Sequence, residues 1–197
     1  NPGYSFDHIR ISNIEKYVDD FRTVYNLAWV KHPGFKPMSE TRAKNIMQTM
    51  KPVMDERIIC FAYYNKAPVG FFIMLPELNQ IFKYVNGKFD WKGKLIFLWH
   101  KWFKTCRKVF GVVFGIVPEH QGKGLEGAIV QVAVNRFIPK NRYEDIENTW
   151  IGDFNPKMIH LMQNIGAHKI KTHITYRKLF DENREFKRMP LLGEKTE

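Results

Sequence analysis

The chain has 197 residues, of which 44% are hydrophobic and 15% aromatic, and its formal net charge at pH 7 is +11. This length suits a single globular domain. No run approaches the roughly 18 apolar residues that a membrane span needs, so we expect a protein that is soluble or at most peripheral. The charge predicts attraction to anions, with nucleic acid, anionic lipid and a phosphorylated cofactor all eligible.

The two cysteines, Cys60 and Cys106, argue against a disulfide framework. Cys60 stands in the apolar run IICFAYY, where it is typical of a small buried hydrophobic residue. We therefore expect a reducing, cytoplasmic setting. The chain starts at Asn1 without a signal-peptide pattern, so we also expect it to be a fragment of a longer chain.

The first half of the chain predicts one strand, two helices and a hairpin. Asn13 is expected to cap a helix over IEKYVDDFRTVYNLAW, because apolar residues recur there at helical spacing. Two runs rich in β-forming residues flank the short turn Asn65–Lys66, which predicts an antiparallel pair. The predicted ranges are 8–11 for the strand, 14–29 and 39–50 for the helices, and 57–64 and 67–75 for the hairpin strands.

The second half predicts alternating helices and strands. VFGVVFGIV is apolar at every position that is not glycine, which is typical of a central strand covered on both faces. The predicted helices are 92–107, 122–137 and 155–165, the predicted strands are 109–117, 146–151 and 169–179, and residues 181–197 form a charged tail. This order predicts an α/β protein (α+β, with a mixed sheet that is mostly antiparallel and flanked by helices), with residues 1–197 in one domain.

The segment PEHQGKGLEG, residues 118–127, has the G-x-G-x-x-G spacing of a dinucleotide-binding fingerprint. In that fold the first glycine follows its strand almost directly, within the first βα unit. Here four residues intervene, the segment starts past mid-chain, and too few βα units remain for a doubly wound sheet. A dinucleotide site is therefore disfavoured.

The same glycines can form a different phosphate cradle. Gly122 and Gly124 allow consecutive backbone N–H groups to converge at the start of the next helix, where a pyrophosphate is favoured. Lys123 adds a positive charge. The structural alternative is that the glycines only make a tight turn.

The stretch VPEHQGKGLEGAIV resembles the acetyl-CoA-binding motif of the Gcn5-related N-acetyltransferases (GNAT), Q/R-x-x-G-x-G/A. Residues Gln121 to Leu125 fit this signature, and Glu126 departs from it where Gly or Ala is usual. The chain is also similar, through AWVKHPGFKPMSE, LPELNQ and ENTWIGDFNPKMIHLMQNIGA, to a less studied bacterial GNAT subfamily with longer chains.

A second stretch, NPKMIHLMQNIGAHKI, resembles the motif N-x-x-A-x-x-L-Y-x-x-x-G-F of the same superfamily. Met162 stands at the position of the Tyr that usually protonates the leaving thiolate, and a thioether cannot donate a proton. Either the thiolate leaves without that help, or another group such as Tyr143 or Tyr176 acts, or the domain binds without catalysis.

The resemblance implies acetyl-CoA, or another acyl-CoA, as co-substrate. It places the pantetheine arm against the strand end Gly115, Ile116 and Val117, where a splay from the strand 146–151 leaves hydrogen-bonding groups free. Glu147 is the candidate base, with a solvated or salt-bridged strand residue as the alternative. The residues implied in binding the rest of the co-substrate are Gln121, Gly122, Lys123, Gly124, Leu125, Glu126, Gly127 and Asn155.

The predicted helix 92–107 is basic and aromatic. Its apolar arc contains Leu95, Ile96, Leu98, Trp99, Trp102, Phe103 and Cys106. Lysines lie opposite and Phe97 interrupts them, which fits a helix packed on the sheet, a membrane-surface helix or, less well, a nucleic-acid-binding helix. Trp29, His32 and Phe35 are expected to border the acceptor cleft if the GNAT layout holds, which favours an uncharged or hydrophobic acceptor.

We therefore expect an N-acyltransferase that moves an acyl group from acetyl-CoA or another acyl-CoA to an amine. The alternative is a non-catalytic acyl-CoA-binding or membrane-surface module with a degenerate site. The histidines lack metal-ligand spacing, so no metal is expected. The expected partners are acyl-CoA and a small-molecule or peptide amine, with weak anionic-membrane contact through residues 92–107 and no sequence-specific nucleic acid.

Overall fold

The computed structural model describes residues 3–30, 34–137, 143–181, 183–186, 188 and 191. The chain forms two compact units, residues 1–149 and residues 150–197. The position of His32 and most of the predicted tail 181–197 lie outside the described residues.

The first unit is built on a five-stranded sheet in the order β1-β2-β3-β4-β5. The first four strands pair antiparallel, and β4 and β5 pair parallel, so the predicted mixed and mostly antiparallel sheet is confirmed. Asn65 and Lys66 both have positive φ, as a tight hairpin turn between twisted strands requires. The strands are β1 Tyr4–His8, β2 Ile59–Tyr64, β3 Ala67–Pro76, β4 Lys108–Ile116 and β5 Asp145–Asn148.

Six α-helices accompany the strands in the described residues. Their bounds are α1 Ile14–Ala28, α2 Glu40–Met50, α3 Asn79–Phe82, α4 Trp91–Trp102, α5 Leu125–Val132 and α6 Pro156–Asn164, and a π-helical turn, Ala133–Phe137, continues α5. The predicted order of elements is confirmed as far as α6, with the short α3 as an addition. None of these helices has the length and hydrophobicity that a membrane crossing demands.

Helix α1 packs its apolar stripe against β3 and β4. Tyr17, Phe21 and Val24 are buried at the helical spacing that the sequence predicts. Phe21 contacts Phe71 of β3 at 5.1 Å between ring centroids, and Phe71 and Phe61 are fully buried in the same core. The helix therefore covers a face of the sheet that includes the C-terminal half of β4.

The predicted boundaries of the first strand and of helix α4 differ from those in the structure. The first strand lies at Tyr4–His8 rather than 8–11, in register with β2. Helix α4 ends at Trp102 instead of residue 107, because Lys104 adopts a left-handed φ of 54° and the N–H of Thr105 bonds to the carbonyl of His100. The chain can therefore turn into β4 directly afterwards.

The second unit contains α6, whose first turn is capped by the side chain of Asn155 accepting a hydrogen bond from the N–H of Met158 at 3.2 Å. The predicted strand 169–179 is not formed, since residues 167–180 carry no regular secondary structure and residues 163–178 are all exposed. Alternation of apolar and polar residues needs a sheet face to cover it, and these side chains face solvent.

Candidate active site

Strand β4 runs beyond its pairing with β5. The parallel pairing starts at Lys108 with Asp145 and ends at Gly111 with Asn148, followed by a hydrogen bond from the N–H of Thr149 to the carbonyl of Gly111. On its other side β4 stays paired with β3 as far as Ile116, and the register shifts once, between Gly111 and Val113. The edge of β4 from residue 112 onward is thus not part of the β5 ladder.

The predicted strand-end residues Gly115, Ile116 and Val117 are buried. A β-carbon at Gly115 would lie 2.5 Å from the indole of Trp29, so this position admits only glycine beside that ring. Trp29 stacks on Phe71 and on Tyr25, and Phe35 lies 5.9 Å from Tyr25 between ring centroids. The structure therefore brings the predicted residues Trp29 and Phe35 into one aromatic cluster against the C-terminal half of β4.

The loop after β4 is ordered by its own side chains and backbone. The amide of Gln121 donates to the carbonyl of Ile116 at 2.8 Å and so fixes the loop to the end of the strand. The N–H of Val117 bonds to the carbonyl of Val69 in β3, and the N–H of His120 bonds to the carbonyl of Val117. The chain leaves β4 in one defined direction as a result.

Gly122 and Gly124 turn this loop into the start of α5. Their φ angles are +69° and +81°, in the left-handed region where side chains with a β-carbon are strained. A β-carbon added at Gly122, Gly124 or Gly127 would meet no atom within 4 Å, so open space lies above all three glycines. Lys123 is exposed between the first two.

Helix α5 presents its N-terminal N–H groups to the same space. The first bond within the helix runs from the N–H of Ala128 to the carbonyl of Gly124, which leaves the earlier N–H groups without an intrahelical acceptor. Leu125 is buried in the core and anchors this end. Free N–H groups, the positive end of the helix and room above the glycines are the features that a pyrophosphate group needs.

Glu126 occupies one donor of this cradle. Its Oε1 accepts a hydrogen bond from the N–H of Gly122 at 2.8 Å, so the side chain folds back into the loop rather than away along the helix. A carboxylate is favourable at a helix N-terminus, where it faces the partial positive charge. The loop therefore already carries an anion of its own beside the space for a phosphate.

The loop is also tied to the opposite edge of the sheet through His120. The hydroxyl of Tyr4 in β1 lies 2.6 Å from Nδ1 of His120, and the imidazole packs against the ring of Tyr64 at 5.1 Å between centroids. The ring of His120 is half-buried between these two tyrosines. No signal in the sequence links residues so far apart in the chain.

The predicted base Glu147 lies on β5, one residue before the pairing with β4 ends. Its Oε2 is 3.1 Å from Nζ of Lys108, and Asp145 lies 3.4 Å from the same ammonium. Hydrogen bonds to Glu147 and then to Asp145 raise the pKa of Lys108. Lys108 therefore stays charged and holds the Glu147 carboxylate in place.

Asn148 and Gly111 mark the point where the two strands part. A β-carbon at Gly111 would lie 2.2 Å from Oδ1 of Asn148, so the amide rests directly on the glycine. A glycine inside a strand pattern is a sign that another group approaches the backbone closely. That signal at Gly111 was available in the sequence, but the identity of its partner was not.

The remaining residues that the sequence analysis names for the site lie away from the glycine loop or in the second unit. Tyr143 is buried and its hydroxyl donates to Asp55 at 3.1 Å, whereas Tyr176 is exposed. Asn155 caps α6, and Met162 lies half-buried on the same helix. Across the described ranges, no three His, Cys, Asp or Glu side chains are grouped as a set that could hold a metal ion.

A cavity of about 430 Å³ lies beside α4. Its lining includes Met54, Arg57, Leu78, Phe97, His100 and Cys106. None of the site residues that the sequence predicts contributes to this lining. The cavity is therefore a feature separate from the glycine loop and the β4 edge.

No family model matches the chain. Among curated proteins, the chain is similar to a "Bacterial ceramide synthase" of Caulobacter vibrioides, with 25% identity over 182 residues, which are 89% of this chain and 47% of that protein. It is also similar to "Protein YghO" of Escherichia coli, with 23% identity over 176 residues, which are 86% of this chain and 45% of that protein. The chain spans about half the length of these relatives.

Among solved structures, the chain is similar to an aminoglycoside N-acetyltransferase, AAC(6')-Iy, determined in complex with CoA. The TM-score is 0.54 at 12% sequence identity, and the match covers 89% of this chain and 94% of that one. At this identity the likeness concerns the fold.

Proposed function

The chain has the fold of the GNAT acetyltransferases, and on that premise we propose that it is an acyl-CoA-dependent N-acyltransferase acting on an amine. The observation that carries the proposal is the loop Gln121–Gly127, where left-handed glycines open the N-terminus of α5 directly after a β4 edge that β5 has left. An acyl-CoA needs both parts, a cradle for its pyrophosphate and an open strand edge for its amide-containing arm.

The transfer itself forms one bond and breaks another. The amine nitrogen attacks the thioester carbonyl carbon, a C–N bond forms, and the C–S bond breaks so that CoA leaves as a thiolate. The proton that the amine loses goes to a base. A thiol has a modest pKa of about 8.5, so the thiolate can leave without a dedicated acid, which accommodates Met162 at the position where the motif has Tyr.

Glu147 is the base in this proposal. Its carboxylate is held by Lys108 at 3.1 Å, one pair before the strands part at Gly111 and Asn148. The ammonium of Lys108 fixes the position of this carboxylate beside the point where the strands part. In this proposal Glu147 takes the proton from the amine directly or through one water molecule.

The acceptor in this proposal is a hydrophobic amine. Trp29 and Phe35 form an apolar cluster beside the strand end, and acidic side chains that would attract a polycation are absent from that cluster in the described residues. The similarity to a protein named bacterial ceramide synthase supports the same class, because a ceramide is the amide of a long-chain amino alcohol.

Calorimetric titration with acetyl-CoA, CoA and NAD in parallel tests the cradle. We expect saturable binding of the CoA species that is lost in Gly124→Glu and kept in Gly87→Glu. Gly87 is the matched control, because it also has positive φ and open space above it but lies outside the loop. Binding of NAD in place of CoA would overturn the assignment of the loop.

An acyl-transfer assay that follows free thiol tests the chemistry, with a long-chain amino alcohol, ethanolamine and an aminoglycoside as acceptors. We expect thiol release that depends on the long-chain amine and falls by about 10²- to 10⁴-fold in Glu147→Gln, the usual range for loss of a general base. Asp145→Asn is the matched control, since Asp145 contacts the same ammonium. CoA binding without amine-dependent release would favour the non-catalytic acyl-CoA-binding module instead.

A further inference from the structure

Helix α4 turns its aromatic side outward. Five apolar residues, here called the tryptophan face, have exposed fractions from 57% to 83%: Trp91, Leu95, Leu98, Trp99 and Trp102. At about 100° per residue they fall within an arc of about 100° on one side of the helix. Four of these residues, Leu95, Leu98, Trp99 and Trp102, belong to the apolar arc that the sequence predicts, and that part of the arc is exposed rather than packed on the sheet.

The side that packs is narrow and is set by Gly93 and Phe97. Both are buried, and a β-carbon at Gly93 would lie 2.1 Å from the carbonyl oxygen of Lys88, so the helix approaches the preceding loop closely at this glycine. Phe97 lies between the rings of Phe82 and Phe89, each at 5.8 Å between centroids. With α4 held along this line, the tryptophan face has to point into solvent.

Positive charge surrounds the tryptophan face. The segment 83–104 contains six lysines and one acidic residue, Asp90, whose carboxylate accepts the N–H of Gly93 at the start of α4. On the helical wheel Lys94 and Lys101 flank one side of the apolar arc and Lys92 flanks the other. Trp between lysines is the composition of helices that lie at anionic interfaces, where the rings enter the headgroup region and the ammonium groups stay in water.

We propose that α4 docks the protein on the surface of an anionic lipid bilayer through the tryptophan face. The helix has 12 residues, which give a length of about 18 Å. That is well short of the roughly 30 Å hydrocarbon core, so the helix lies in the plane of the interface. This docking does not rest on the proposed acyl transfer, because neither the glycine loop nor Glu147 belongs to the surface.

Co-sedimentation of the 197-residue chain with vesicles tests the docking. We expect binding to vesicles of phosphatidylglycerol and phosphatidylcholine at low salt, and much weaker binding to phosphatidylcholine alone. Trp99→Ser combined with Trp102→Ser lowers the partition coefficient at least about tenfold, since two large apolar side chains are removed from the interface. Trp150→Ser is the matched control, because Trp150 is 73% exposed but lies in the second unit.

Charge reversal provides the second test. The test variant combines Lys88→Glu, Lys92→Glu and Lys94→Glu. We expect its partition coefficient to be lower by about 100-fold or more, because each of these lysines is attracted to an anionic surface. The control triple Lys66→Glu, Lys157→Glu and Lys169→Glu changes the net charge equally and leaves most of the binding in place.

Four results would overturn the proposal. They are no binding by the unchanged chain, equal binding to neutral vesicles, equal losses in test and control variants, and lipid-free self-association that Trp99→Ser and Trp102→Ser abolish. The last would assign the face to a second copy of the chain.

Discussion

The carboxylate of Glu126 competes with a bound phosphate for the same backbone donor. It accepts the N–H of Gly122 at 2.8 Å, in a loop where Gly122 and Gly124 are exposed. A phosphate oxygen that takes over this N–H would come within about 4 Å of the carboxylate. Two unit charges at that separation repel by about 1 kcal/mol in water and about 4 kcal/mol at an effective dielectric constant of 20.

The exposed loop belongs near the lower end of this range, at about 1 to 2 kcal/mol. Glu126→Gln removes the charge and keeps an oxygen acceptor, so we expect CoA to bind about tenfold more tightly than to the unchanged chain. Isothermal titration at low salt measures the effect, and 1 M salt should reduce the gain because the Debye length is then only about 3 Å.

Glu119→Gln is the matched control, since it removes an exposed carboxylate from the same connection. We expect its CoA affinity to change by less than that of Glu126→Gln. Weaker CoA binding by Glu126→Gln would refute the reasoning, because it would mean that the negative charge itself is needed to shape the cradle.

Three other predictions concern the sheet that supports the site. Gly111→Ala should destabilise the fold by about 1 to 3 kcal/mol in denaturant titrations, because its β-carbon would strike the amide of Asn148, and adding Asn148→Ala should restore much of the loss. Burial raises the pKa of Cys60 from 9.0 to about 12, so its contribution to stability is full below pH 9 and is lost as the pH rises toward 12, at about 1.4 kcal/mol per pH unit. The free energy of unfolding of the unchanged chain should therefore be about 1.4 kcal/mol lower at pH 10 than at pH 8, and a decrease of the same size in Cys60→Ala would contradict the cause. Tyr4→Phe should cost about 1 kcal/mol, the usual net value of one hydrogen bond, by releasing His120, and unchanged unfolding midpoints would count against that tether.

Periodicity predicted the order of elements because the helices of the first unit and its strands β2, β3 and β4 bury one face or both. Helix α1 is the clearest case, since the residues at helical spacing from Ile14 to Val24 are the ones buried against the sheet. The strand predicted at 169–179 does not form, because its apolar face has no sheet to pack against. Alternation of apolar and polar residues indicates that one side of a segment is apolar, but it does not indicate whether a sheet is present for that side to pack against.

A helical wheel does not predict which side of α4 is buried. Both sides of this helix contain large apolar residues, so the sequence left open whether the wider apolar arc packs on the sheet or faces a membrane surface. Gly93 was the usable signal for the other choice, because a glycine within a helix permits close backbone approach on its own side. Burial of Phe97 follows from that approach rather than from the size of the apolar arc.

The site was predicted in part. The turn at Gly122 and Gly124 could be predicted from the sequence because a left-handed backbone favours glycine, and both residues have positive φ angles. The sequence did not predict that Glu126 folds back into the loop or that Glu147 pairs with Lys108, because side-chain rotamers and cross-strand register determine these contacts. The roles of these residues in binding and catalysis stay predictions.

The parallel pairing of β4 with β5 has a consequence for the order of folding. An antiparallel neighbour can be joined by a short hairpin, as β2 and β3 are here, but a parallel neighbour requires a crossover, and the glycine loop and α5 lie within the crossover from β4 to β5. Residues 37 positions apart along the chain must meet before the four β4–β5 pairs can form, and the connection between them carries the glycine loop. A ligand held by the glycine loop would therefore slow the local opening of β5, and its amide protons would exchange with solvent more slowly when CoA is present.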